Sequence, residues 1–415
     1  ESLTIFLQQL GRGLRLADGK TCLTVLDFVA QANQSYNYES RFRALVGKTT
    51  DSIEKEIKKG FTFLPRGCSI TMERQAQEYI LKNIHEAVFN LKRLRKECRS
   101  FTQNTGQELT YENFINNFNL DWRLVYKTPG SWSRLKVQSG IEVADFDVND
   151  DYIKLLEGGL ARLYHTNSHE YLSYLDNLIR MGMKHPNNAT TRQNKFLKLF
   201  YYTICMNDIE KVNTNYNKNF NTIEEAVLSF ANIKWFMEEL RFLVTLRRNQ
   251  LCQTTQWLRV SDEAEIELYG CYSADEIHLL LEDKLGRWQV LGTQYNHENK
   301  FAMVFVTLNK SDKEYSPSTL YEDYAISQEQ FHWQSMNQVR QDSEEGRRIT
   351  EQRTNGWKFI LFVRDAKQDE YGNTNAYYCL GFMNYHSSHG ECPMNVVWNM
   401  QNNIPGFILE NAKAI

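Results

Sequence analysis

The chain has 415 residues, 42% of them hydrophobic and 24% charged, with a formal net charge of −3. That is apolar material for about two or three domains with sizeable cores. The near balance of charge excludes a global field that would draw the protein to nucleic acid or membrane, so any polyanion site has to be a local patch. Eight cysteines lie scattered without a CxxC pair in a chain too long to need stapling, which points to reduced thiols and a cytoplasmic setting. No apolar run reaches the roughly 18–20 residues of a membrane span and no signal peptide opens the chain, so no membrane partner is expected. Glu1-Ser2 reads as the interior of a longer protein.

In chain order, "TIFLQQLGRGLRL" places Ile5, Leu10 and Leu14 near one face of a helix, and "CLTVLDFV" is a continuous apolar run of buried-strand type. Together they predict half of an α/β unit. From about 51 to 250 the texture is helical. Apolar or small residues at 76, 80, 84, 87, 91, 94 and 98 alternate steps of three and four and predict one long amphipathic helix ending in "LKRLRKECR". Further helical stretches are predicted at 150–182, 192–209 and 222–248. After about 251, "RWQVLGTQY", "FAMVFVTL", "WKFILFVRD" and "AYYCLGFMNY" predict short strands bounded by polar turns. The fold class is therefore α+β, organised as 1–50, a mostly helical 51–250 and a β-rich 251–415.

Gln8, Gly11, Arg12 and Arg15 form Q-x-x-G-R-x-x-R. Helical spacing of three puts both guanidiniums on one side, where each fork can reach phosphate oxygens; a solvated basic face is the plainer alternative. Three phosphate-site mimics fail on context. "GKTT" at 47–50 has Phe42 where the phosphate loop needs its first glycine, and "DEAE" at 262–265 and "DEIH" at 275–278 do not end buried strands.

Tyr321, Tyr324, Phe331, His332, Trp333 and Gln334 crowd fourteen residues. Exposed aromatics stack on bases and Gln or His reads a base edge, whereas the same residues in a small β-domain also serve as core. Arg93, Arg95 and Arg99, with Lys92 and Lys96, form a stripe that either tracks a phosphate backbone or complements a helix C-terminus. Asp365 and Lys367 after "WKFILFVR" mimic a metal-nuclease D-x-K, with Asp342, Glu344 or Glu351 as a further carboxylate, and also suit a solvated hairpin turn. His386, His389 and Cys392, and the pair His165 and His169, lack the four partners of a zinc site, so no metal centre is expected.

The run "ESLTIFLQQLGRGLRLADGKTCLTVLDFV" closely resembles the end of the second RecA-like domain of superfamily 2 helicases, including the family's sixth motif. The resemblance implies Arg12 and Arg15 as arginine fingers to ATP, with Gln8 and Gly11 beside the nucleotide. It also implies ATP and Mg²⁺ as cofactors of the full-length protein, none for this chain alone, and upstream RecA-like motor domains as partners. "SRFRALVGKT", "FTFLPRGCSITMERQAQEYILKNI", "TLYEDYAISQEQFHWQSMNQV", "WKFILFVRDAK" and "HGECPMNVVW" resemble the C-terminal region, domain of unknown function 3427, that follows the motor in a group of bacterial helicases. Those proteins are similar to restriction or defence enzymes, and many carry a phospholipase-D-like nuclease domain. The resemblance implies DNA as the partner.

Overall fold

Polar caps mark where the helices of this chain begin. Thr190 and Gln193 form a capping box at the start of Thr191–Cys205, and Ser273 and Glu276 form another at Ala274–Glu282. Asp150, Ser168, Asp208, Thr222 and Ser343 each accept a backbone N–H of the following first turn. Each cap satisfies donors that the first turn leaves without intrahelical partners. These elements come from a computed structural model, which describes residues 3–15, 23–26, isolated positions between 38 and 81, and 91–409 apart from 119, 143–144, 252–255, 263, 287–291, 310–322, 370–371 and 407. The class is α+β, as expected.

The chain divides into two units, Glu1–Pro129 with Arg134–Val143, and Gly130–Ser133 with Ala144–Ile415. These cut across the three stretches read from sequence texture. In the first unit, helix Leu91–Thr105 buries Leu94, Cys98 and Phe101, the last packing on Phe114 of helix Tyr111–Phe118 with ring centroids 5.7 Å apart. The predicted long helix thus runs past Cys98, while 82–90 lie outside the described residues. A second cluster gathers Tyr38, Phe42, Ile57, Phe61 and Ile80. The predicted buried strand is corrected at Leu23–Leu26, which form no strand and stand exposed, Leu26 at 78%. A parallel strand needs hydrogen-bonded neighbours on both sides, and the described residues of this unit contain no other strand to supply them.

In the second unit the predicted helical stretches break into shorter pieces, including Asp151–Arg162, His169–Arg180, Thr191–Cys205 and Lys234–Gln250. Gly159 lets the first of these press against the third. A Cβ there would sit 2.8 Å from the Ile204 Cα, closer than side chains tolerate.

The β-rich part adds a two-stranded hairpin, β1 (Trp257–Arg259) and β2 (Glu265–Glu267), and an eight-stranded mixed sheet. Its strands are β3 (Cys271–Tyr272), β4 (Thr293–Asn296), β5 (Phe301–Thr307), β6 (Tyr324–Ala325), β7 (Gln330–Gln334), β8 (Lys358–Arg364), β9 (Tyr377–His389) and β10 (Asn395–Met400). The order is β4-β5-β8-β9-β10-β7-β6, with β3 on β9; β5 and β8 are parallel and the other pairs antiparallel. Period-two alternation sends Val304, Phe331, Leu361, Val396 and Trp398 to one face, where Val339, Ile349 and Trp357 cover them. It sends Met303, Phe305, Ile360, Phe362 and Cys379 to the other, beneath helix Ala274–Glu282 and the β1–β2 hairpin.

Candidate nucleic-acid interface

The hairpin and helix that cover the second face pack on β5, β8 and the start of β9. Beyond that point, on β9, β10, β7 and β6, the same face changes chemistry. Register places Asn384, Asn399 and Gln330 in one row across the strands, Ser387, Val397, His332 and Tyr324 in the next, and His389, Asn395 and Gln334 in a third. Paired residues of antiparallel strands share a face, so these rows form one surface of carboxamides, imidazoles and one phenol.

Cross-strand bonds hold it flat. Gln330 Nε2 donates to Asn399 Oδ1 at 3.0 Å, Gln334 Nε2 to Asn395 Oδ1 at 2.9 Å, and Gln401 Nε2 to Asn384 Oδ1 at 3.3 Å. The Tyr324 and His332 rings stack with centroids 4.6 Å apart and planes 17° apart. Asp323 Oδ1 accepts the backbone N–H of Gln334 and anchors the β6 side. Gln330 and Asn399, joined by one such bond, keep further donor and acceptor capacity, so their row can pair with a base edge or a peptide group. None of the residues in these rows is Lys or Arg.

Three of the four residues expected here, Tyr324, His332 and Gln334, therefore share one face of the sheet, where Tyr324 and Gln334 are half-buried and His332, stacked on Tyr324, is only 6% exposed. Trp333 does not, because it alternates to the opposite face, is 4% exposed and packs on Trp398. The core reading holds for it. Gln330, Asn384, Asn395 and Asn399 were not anticipated; the signal was the polar residue at every second position of "QFHWQ" and the two asparagines four apart in "NVVWN".

The other sequence candidates lie elsewhere. Gln8, Gly11, Arg12 and Arg15 are all exposed, but helix Leu3–Gly13 ends before Arg15, which is carried on the turn that follows, its N–H 3.4 Å from the Arg12 carbonyl. Two glycines in three residues weaken the last turn, which is why the expected single helical face does not extend to Arg15. Arg95 is bonded to Gln138 Oε1, and Arg99 Nε donates to the Ser139 carbonyl at 2.8 Å, while Arg93 is half-buried. Two members of the basic stripe thus fasten its helix to the 132–139 segment.

Phe42, standing where a phosphate loop needs glycine, is a core residue 5.6 Å from the Phe61 ring. "DEIH" opens helix Ala274–Glu282, and "DEAE" runs from a bend into the start of β2. Asp365 accepts from Asn309, and Lys367 is exposed in a loop that Asp369 closes by accepting from Asn373, the hairpin-turn alternative. His165 and His169 do not share a helix, since the Ser168 cap separates them. Among the described residues, no three His, Cys, Asp or Glu side chains gather in a way that could hold a metal ion, and no helix is long and apolar enough to cross a membrane.

A family described as Domain of unknown function (DUF3427) matches residues 266–411, which contain the whole interface. No curated protein matches the chain.

Proposed function

We propose that this chain is the C-terminal part of an ATP-dependent DNA helicase or translocase of bacterial restriction or defence type. Arg12 and Arg15 complete an ATP site whose phosphate loop and acidic Mg²⁺ motif belong to upstream motor domains. The β6–β7–β10–β9 face recognises nucleic acid. The observation that carries the reading is the exposure of all four motif residues, Gln8, Gly11, Arg12 and Arg15, on a chain that also contains the domain of unknown function 3427. Guanidiniums at an ATP γ-phosphate neutralise charge that develops during transfer, an effect worth roughly 10³–10⁵ in turnover.

The test is ATP turnover. The 415-residue chain alone should hydrolyse no ATP, and in the protein carrying its motor domains Arg12→Ala or Arg15→Ala should reduce turnover by at least about 10³. Turnover by the isolated chain, or unchanged turnover in both variants, would remove the assignment. A second reading is favoured by one observation, the lack of any Lys or Arg among the residues of the interface: a non-catalytic module that docks a nuclease domain or partner protein. A salt titration of oligonucleotide binding separates the two, because phosphate-led binding weakens steeply with salt and neutral docking does not.

A further inference from the structure

Within the second unit a polar seam joins the helical layer to the sheet. Arg192 forks onto Glu265, with Nε to Oε1 at 2.5 Å and Nη2 to Oε2 at 2.9 Å, and lies 4.3 Å over the Trp257 ring. His165 Nε2 meets Glu276 Oε2 at 2.6 Å, and Thr203 Oγ1 donates to Glu276 Oε1 at 2.9 Å. Asn167 Nδ2 donates to the Tyr269 carbonyl at 2.9 Å, while its Oδ1 accepts the Cys271 N–H at 2.7 Å.

Glu267 breaks this pattern of complete pairing. It is 2% exposed, yet its Oε2 has no hydrogen-bond partner, and the buried hydroxyls of Tyr171 and Tyr272 have none either. Both tyrosines line a small cavity in the seam together with His165, Ser168, Cys271 and Glu276. A buried carboxylate with one oxygen unpaired costs more than the buried acid, and burial here outweighs the Ser168 and Tyr272 side chains beside it, so the arrangement favours the protonated form.

We propose that this seam is a proton-operated latch, in which Glu267 carries a proton while the helical layer and the sheet are locked and loses it as they loosen. The neighbours support that division. From helix His169–Arg180 comes the like charge of Glu170, and from its cap the Ser168 hydroxyl. Helix Thr191–Cys205 contributes Arg192, already engaged by Glu265 and Glu170, and β3 contributes Tyr272. Burial is the main influence and pushes the Glu267 carboxyl up to about 7; Glu170 adds to it, while Ser168, Arg192 and Tyr272 act in the other direction. Glu276, which lines the cavity, behaves oppositely. Burial acts to raise it, but His165, the Ser273 backbone N–H and Thr203 together hold it below the ordinary carboxylate range. The latch therefore works near neutrality, where the His165–Glu276 contact keeps its ionised carboxylate.

The sign follows from linkage. A carboxyl whose folded value is raised stabilises the locked state fully below its unfolded value, and that contribution is lost as pH rises toward the folded one. The experiment compares the full chain with Glu267→Gln from pH 5 to pH 8, following hydrogen exchange of the Cys271 and Ser273 amides after correction for intrinsic rates. Wild-type protection of these seam amides should fall by up to roughly 100-fold over that range, while protection in Glu267→Gln stays level. The Phe362 amide in the central sheet serves as the control and should change little in either protein. Parallel profiles in the two proteins would overturn the latch. Should Glu267→Gln fail to fold, the Glu267 carboxyl carbon is titrated by NMR in the unmodified chain. A midpoint near 7 supports the proposal, and one in the ordinary carboxylate range overturns it.

Discussion

The two halves of one sheet face make the instructive comparison. Over β5, β8 and the start of β9, Phe305, Ile360, Phe362 and Cys379 are buried beneath helix Ala274–Glu282 and the β1–β2 hairpin. Over β10, β7 and β6, the positions of the same face hold Asn395, Asn399, Gln330, Gln334 and the Tyr324–His332 stack. Backbone geometry and side-chain period are shared. What differs is whether that helix and hairpin lie above, and the residues follow that difference: apolar beneath them, amide-bearing on the half they leave open.

The largest test of the covered half is Phe362→Ala, which opens a cavity under the helix and should cost about 3–5 kcal/mol in urea unfolding. Trp333→Ala should cost a similar ~3–5 kcal/mol, while Gln334→Ala, the adjacent half-buried residue on the opposite face, should cost about 1 kcal/mol or less. Equal losses would show that the open half is structural. For recognition, Tyr324→Ala should weaken binding of a fluorescently labelled oligonucleotide about tenfold, on the basis of roughly 1–3 kcal/mol per stacked base. Converting Gln330 and Gln334 together to Leu would make the open half resemble the covered one, and the resulting apolar patch should produce concentration-dependent association in sedimentation.

The smallest expected effect concerns acid. Glu276 belongs to the helix that covers the first half, and its depressed carboxyl contributes stability that is present above the unfolded carboxylate value and lost as pH falls through its folded value. Thermal unfolding should show Glu276→Gln to be less sensitive than the parent chain below about pH 4.5.

The helical stretches were legible because apolar spacing repeats within a few residues, whereas the caps at Thr190, Ser273 and Ser343 emerged only from the structure. The strands "FAMVFVTL" and "WKFILFVRD" were legible because a strand buried on both faces is apolar throughout. Arg12 and Arg15 were legible as a motif, but not the end of their helix at Gly13, where two glycines outweighed the apolar spacing. For Trp333 the choice between stacking and core stayed open in the sequence, because crowding of aromatics shows composition and only the register with β10 shows direction.

Local chemistry along the chain thus carried the class of the fold, the main helical stretches and the principal strands, since each depends on neighbours a few residues away. Three-dimensional packing alone decided which half of the sheet stays open, that Arg95 and Arg99 are drawn into contacts with the 132–139 segment, and that Glu267 lies buried with one oxygen unpaired. These outcomes depend on residues tens of positions apart in sequence, as with His165 and Glu276, and no local pattern encodes a meeting between segments that only tertiary contact brings together.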